Sequence, residues 1–122
     1  MNRRVSDAAL LGLTETCGMA VVAAHGWPAQ RMAAEGFAII LRRQRMTLSA
    51  PAELDDAVEI ATWVSDVKRV TATRHYTITR SSDGVLLARI DTLGVWVDLN
   101  TGRPMRIPAG LLADFAPNVA TG

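Results

Sequence analysis

Between Ser6 and Gly26 the chain offers almost no polar face. Ala8, Ala9, Leu10, Leu11, Leu13, Cys17, Met19, Ala20, Val21, Val22, Ala23 and Ala24 spread around the whole circumference of a helix. Glu15 is the sole charge between Asp7 and His25. Ser6 and Asp7 are natural N-cap residues, Gly26 suits the position after the last turn, and Trp27-Pro28 stops the helix. The pattern predicts one helix over residues 6–25. A helix that is apolar all round is buried on most sides. In a chain of 122 residues it must lie in the concavity of a curved sheet, or be covered by a second subunit as well.

From Gly36 onward the period changes to two. Residues 37–48 predict a strand, apolar at first and then mixed with Arg42, Arg43 and Arg45, which Ala50-Pro51 breaks before a turn at Leu54-Asp55-Asp56. Val58, Ile60, Thr62 and Val64 alternate with Glu59, Ala61, Trp63 and Ser65, a second strand. After a turn at 66–69, Val70, Ala72, Arg74, Tyr76 and Ile78 share one face; Thr71, Thr73, His75, Thr77 and Thr79 share the other. Ser82-Asp83-Gly84 is a hairpin signal, 85–97 is the longest apolar strand, and Asn100-Thr101-Gly102 is a further turn. Residues 105–107 suggest a short edge strand blunted by Pro104 and Pro108, 111–115 a short helix, and 116–122 a loose tail. One helix followed by consecutive strands with hairpin connections is an α+β arrangement with an antiparallel sheet, which excludes a doubly wound α/β fold. No linker or internal repeat divides residues 1–122, so a single domain is expected.

Composition narrows the partners. With 49% hydrophobic residues there is material for one core, and a net charge of +1 gives no global pull toward nucleic acid or an acidic membrane. Few aromatic residues weaken any single-strand stacking reading. The lone Cys17 cannot form an internal disulfide; in an apolar run it reads as a small buried hydrophobe in a reducing, cytoplasmic setting. Glu15 at the middle of the longest apolar stretch argues against a membrane span, and Asp7 against a secretory leader. His25 reads as a helix C-terminal cap and His75 as a strand-face residue; neither has metal-ligand spacing, so no metal and no cofactor are expected. A Ser-His-Asp set is compatible with the spacing, but no nucleophile-elbow motif is present.

Several stretches, taken in order, resemble the hot-dog thioesterase superfamily, including the acyl-CoA and acyl-carrier-protein thioesterases. The helix 8–16 (Ala-Ala-Leu-Leu-Gly-Leu-Thr-Glu-Thr) resembles that family's central helix, which often carries a carboxylate at about the Glu15 position. Residues 58–64 followed by Lys68-Arg69 resemble its strand and turn, 74–80 with 83–88 its central hairpin, and 95–108 its closing strands. The resemblance covers roughly residues 2–115. It departs at the front. The family's strand before the helix, and most of a loop carrying Asp, Gly, His and Asn, have no counterpart; Asn2 matches the final Asn of that loop. A truncated start, a strand supplied by another chain, or an altered activity each fits that departure.

The resemblance implies hydrolysis of acyl thioesters carried by coenzyme A or acyl carrier protein, without metal or cofactor, in a homodimer or homotetramer. A carboxylate in a buried apolar helix is expensive unless paired, and burial raises its pKa, which suits a base. Glu15 is therefore the leading catalytic candidate, activating water or attacking the carbonyl, with Asn2 and Thr16 beside it. Ser6 and Asp7 at the helix N-terminus would help bind the thioester carbonyl there. Lys68, Arg69 and Arg103, on turns, would meet the phosphates of coenzyme A or an acidic carrier. Two other readings stand beside this one: a hydroxyacyl-thioester dehydratase, for which no His is well placed, and a non-catalytic acyl-CoA-binding or assembly module.

Overall fold

The computed structural model describes residues 6–119. Helix α1 (Asp7–Ala24) begins where the capping residues place it: the Ser6 hydroxyl accepts a hydrogen bond from the Ala9 amide at 3.2 Å. His25 is the C-cap, its Nδ1 2.9 Å from the Val21 carbonyl oxygen, and Gly26 follows at φ +89°. A six-residue helix, α2 (Ala29–Ala34), comes next. It has no apolar period of its own and was not anticipated; Met32 alone anchors it in the core.

Four strands follow: β1 (Phe37–Leu48), β2 (Val58–Ser65), β3 (Thr71–Arg80) and β4 (Leu86–Asp98). They form one antiparallel sheet in the order β1-β4-β3-β2. Hairpins join β2 to β3 and β3 to β4, whereas β1 crosses over to the far side of β4. Val58, Ile60, Thr62 and Val64 pair with Arg80, Ile78, Tyr76 and Arg74, which fixes the inner face read from the alternation. Arg80 ties the crossover loop to the β3–β4 hairpin: it donates to Asp56 at 3.2 Å, to Asp83 at 2.9 Å and to the Pro51 carbonyl at 3.0 Å. The amides of Glu53 and Val85, and then Arg80, hold the Asp56 and Asp83 carboxyls below the usual carboxylate range.

The edge strand expected at 105–107 is reduced to a single bridge between Val97 and Pro104, beside which the Met105 amide donates to the Trp96 carbonyl at 2.8 Å; Pro104 and Pro108 have no amide with which to extend the pairing. Helix α3 (Ala109–Phe115) buries Leu111 and Phe115 in the core cluster that also holds Met32, and the Trp27 indole donates to Asp114 at 2.8 Å. The segment expected to be a loose tail begins with a 3₁₀ turn, Ala116–Asn118. Asn118 donates to the Thr62 carbonyl and accepts from Arg74.

One expectation is overturned for the single chain. Helix α1 is not buried on most sides; only Leu10, Thr14 and Gly18 are, a stripe one turn apart that faces the sheet. Met19 is 70% exposed and Glu15 is exposed too. Four strands cover one side of a helix and no more. By length and composition α1 could also cross a bilayer, but here its stripe is seated on Tyr76. The seat depends on Gly18: a Cβ there would lie 2.3 Å from the Tyr76 hydroxyl oxygen.

Candidate functional site

Because α1 touches the sheet along one stripe only, a space stays open between them. Leu10, Tyr76, Ile78, Leu87 and Ile90 fill one end of the inner face; Trp27, Phe37, Leu111 and Phe115 fill the other. Between these clusters lies a cavity of about 480 Å³. Thr14, Glu15, Gly18 and Met19 of α1 form one wall, and Met32, Leu111 and Phe115 form another. The floor is the sheet itself, including Gly94, where a Cβ would come within 2.9 Å of Ile39. Size and apolar lining suit a small ligand with an aliphatic or aromatic body.

A polar row crosses this apolar floor. Gln44 of β1 faces Thr92 of β4, and Thr92 faces Arg74 of β3. All three line the cavity. Arg74 uses Nη1 to donate to Thr62 Oγ1 at 3.0 Å and to Asn118 Oδ1 at 2.9 Å, and its guanidinium carbon lies 5.9 Å from the Phe115 ring centroid. Burial lowers the pKa of Arg74, against the pull of Tyr76 and Cys17. Burial also raises the pKa of Tyr76, with Arg74 opposing. Gln44 Nε2 and Trp96 Nε1, both on cavity-lining residues, are buried without a hydrogen-bond partner among the described residues.

The structure gathers only some of the residues the sequence singled out. Glu15 lines the cavity from α1. Lys68 and Arg69 sit on the exposed β2–β3 turn beside it. The Arg69 carbonyl accepts from the Ile107 amide at 2.9 Å, and both Val67 and Ile107 line the cavity. Ser6 is spent on the Ala9 amide, and neither it nor Asp7, Thr16 or Arg103 lines the space. Asn2 lies outside the described residues. Thr14 is buried and donates back to the Leu11 carbonyl at 2.8 Å. Arg74, Gln44 and Trp96 were not singled out as site residues. The signal was present for Arg74, a lone cation in the inward row Val70, Ala72, Arg74, Tyr76, Ile78.

The opposite face of the sheet holds a second arrangement. Ser65 Oγ is 2.5 Å from His75 Nε2, and His75 Nδ1 is 2.6 Å from Asp91 Oδ1, with Trp63 stacked on the imidazole. The order is that of a serine nucleophile set, but its surroundings are not. Ser65 donates to Asp66 at 2.9 Å, so a carboxylate lies against the hydroxyl and would repel an oxyanion formed beside it. The neighbouring cleft, about 180 Å³, is lined by Arg43, Arg45 and Asp91 but by neither Ser65 nor His75. The three residues instead bridge β2, β3 and β4 by side chains.

The fold and cavity can be set beside known proteins. The family description "thioesterase-like superfamily" matches residues 1–115. The chain belongs to the thioesterase-like superfamily. The acyl-CoA thioester hydrolase YbgC of Escherichia coli is 29% identical over 91 residues, covering 75% of this chain and 67% of that protein. Among solved structures, Staphylococcus aureus SAV2348, determined in complex with CoA, superposes with a TM-score of 0.89 at 16% identity, over 99% of this chain and 78% of that one. Synechocystis Slr0204, a 1,4-dihydroxy-2-naphthoyl-CoA thioesterase, gives 0.85 at 18% identity, over 93% and 84%. The α+β architecture is thus the hot-dog fold: an apolar helix against an antiparallel sheet, with the cavity of about 480 Å³ between them.

Proposed function

We propose that this thioesterase-family chain hydrolyses acyl thioesters of coenzyme A, holding the acyl group in the cavity between α1 and the sheet. The observation that carries the reading is Glu15 on the wall of a largely apolar cavity of about 480 Å³. Water attacks the thioester carbonyl, the carbon–sulfur bond breaks, and a carboxylic acid and a free thiol leave. Glu15 takes the proton from that water, or attacks the carbonyl itself before water releases the acyl group. Lys68 and Arg69, beside the cavity, meet the phosphates of coenzyme A, and an acidic carrier protein is the second possible donor of the acyl group. The similarity to E. coli YbgC, an acyl-CoA thioester hydrolase, supports the coenzyme A form. A cytoplasmic site of action accords with acyl-CoA as substrate.

A second copy of the chain is part of this reading. Leu13 and Met19 on α1, and Ile40, Leu41 and Leu48 on the edge strand β1, leave large apolar groups uncovered. A homodimer or homotetramer would cover them and bring further groups to Glu15; sedimentation as a monomer throughout the working concentration range would overturn that part. The hydrolase reading is tested by free-thiol release from a panel of acyl-CoA esters, short to long and aromatic. Turnover of at least one class is expected. No release from any of them would overturn it and leave a binding or assembly module.

A further inference from the structure

The cavity holds more hydrogen-bond donors than an alkyl chain can use. Arg74 commits only Nη1 to protein acceptors, leaving Nε and Nη2 without a partner among the described residues. Those two nitrogens form one edge of the guanidinium fork, whose spacing matches the two oxygens of a carboxylate. No Asp or Glu among the described residues is within ion-pairing distance of Arg74, and the charges that perturb it are Tyr76 and Cys17. The guanidinium thus lines an apolar cavity as a half-buried cation with no ion pair among the described residues, and a ligand that displaces water from the cavity must supply the negative charge or leave the cation unpaired. Gln44 Nε2 and Trp96 Nε1 add two unpartnered buried donors on residues lining the same space. The acidic group that lines the cavity, Glu15, sits on α1, across the space from the sheet that carries the fork.

We infer that the acyl groups this site selects carry a second, anionic oxygen function, a carboxylate away from the thioester, and that Arg74 is the residue that selects them. This rests on the thioester reading of the cavity. It assigns the two ends of such a substrate to opposite walls: the thioester to Glu15 on the helix and the distal carboxylate to Arg74 on β3. Thr62 and Asn118 are positioning residues, holding Nη1 so that the free edge stays available. A methyl-terminated acyl group of the same length would fill the volume but leave the guanidinium without its anion. The site therefore discriminates against it.

The test is a binding measurement, independent of turnover. Carboxyalkyl thioethers of coenzyme A, which cannot be hydrolysed, are titrated calorimetrically, each paired with the methyl-terminated thioether of the same length. The parent protein is expected to favour the carboxylate member of at least one pair by roughly 10- to 100-fold. Arg74→Gln should erase that preference while leaving the methyl-terminated ligand's affinity within a few-fold. If Arg74→Gln does not fold, Asn118→Asp supplies the same test by placing a carboxylate against Nη1, and the preference should again collapse. No carboxylate preference in the parent, or a preference that survives these changes, overturns the inference. Because the ligands do not turn over, loss of the hydrolase reading would show as absent thiol release and not as loss of this preference.

Discussion

Glu15→Gln is expected to lower kcat for thioester hydrolysis by about 100-fold or more, with KM changed only a few-fold. The two side chains are the same size, and Glu15 is exposed in the single chain and accepts no hydrogen bond among the described residues. The substitution therefore removes a proton acceptor and little else. Binding should survive it because glutamine keeps the size of this wall residue, and the sheet floor, α2 and α3 are untouched by the change. Thr16 provides the comparison. It is exposed on the same helix and does not line the cavity, so Thr16→Val should cost far less. Steady-state kinetics on the best acyl-CoA substrate separates the two. Equal losses in both variants would place the reacting group elsewhere on α1.

Gly18→Val is expected to cost about 1–3 kcal/mol of stability and to disturb the cavity. A Cβ at Gly18 would meet the Tyr76 hydroxyl oxygen at 2.3 Å, and Tyr76 is held in the core with Leu10, Ile78 and Ile90 packed around it, so the ring has little room to retreat. The alternative is for α1 to lift off the sheet, which would unseat Leu10 and Thr14 on the same stripe. Gly12 is the internal control. It lies in the same helix, nothing stands within 4 Å of its Cβ position, and Gly12→Ala should be neutral or stabilising by up to about 1 kcal/mol from helix propensity alone. Chemical denaturation of the two variants gives the comparison, and a Gly18 variant as stable as the parent would show that the helix is not seated where we describe it.

Much of this fold was legible in the sequence because its signals are local. Ser6 and Gly26 bracket α1, and the alternation from Val58 to Ser65 and from Val70 to Thr79 assigns each residue to the correct face of the sheet. What was not legible depends on tertiary context. Helix α2 is too short to show a period and is held by Met32 and by the Trp27 platform under Arg31. The segment around Met105 has strand-forming residues but its flanking prolines deny it a ladder. The burial of α1 was overestimated because residue pattern reports what a helix can bury, not how many partners one chain provides. At the site, Glu15 stood out as a lone charge in an apolar run. The row Gln44, Thr92, Arg74 did not, since it is assembled across three strands by a register that includes a bulge between Leu41 and Arg43.

The most direct test of the central claim is a crystal structure of the protein with a non-hydrolysable acyl-CoA thioether bound. The account places the acyl chain between α1 and the inner face of the sheet, against Gly18 and Tyr76, with the thioether within reach of the Glu15 carboxylate and the phosphates toward Lys68 and Arg69. An acyl chain bound on the outer face, beside Ser65, His75 and Asp91, would contradict it.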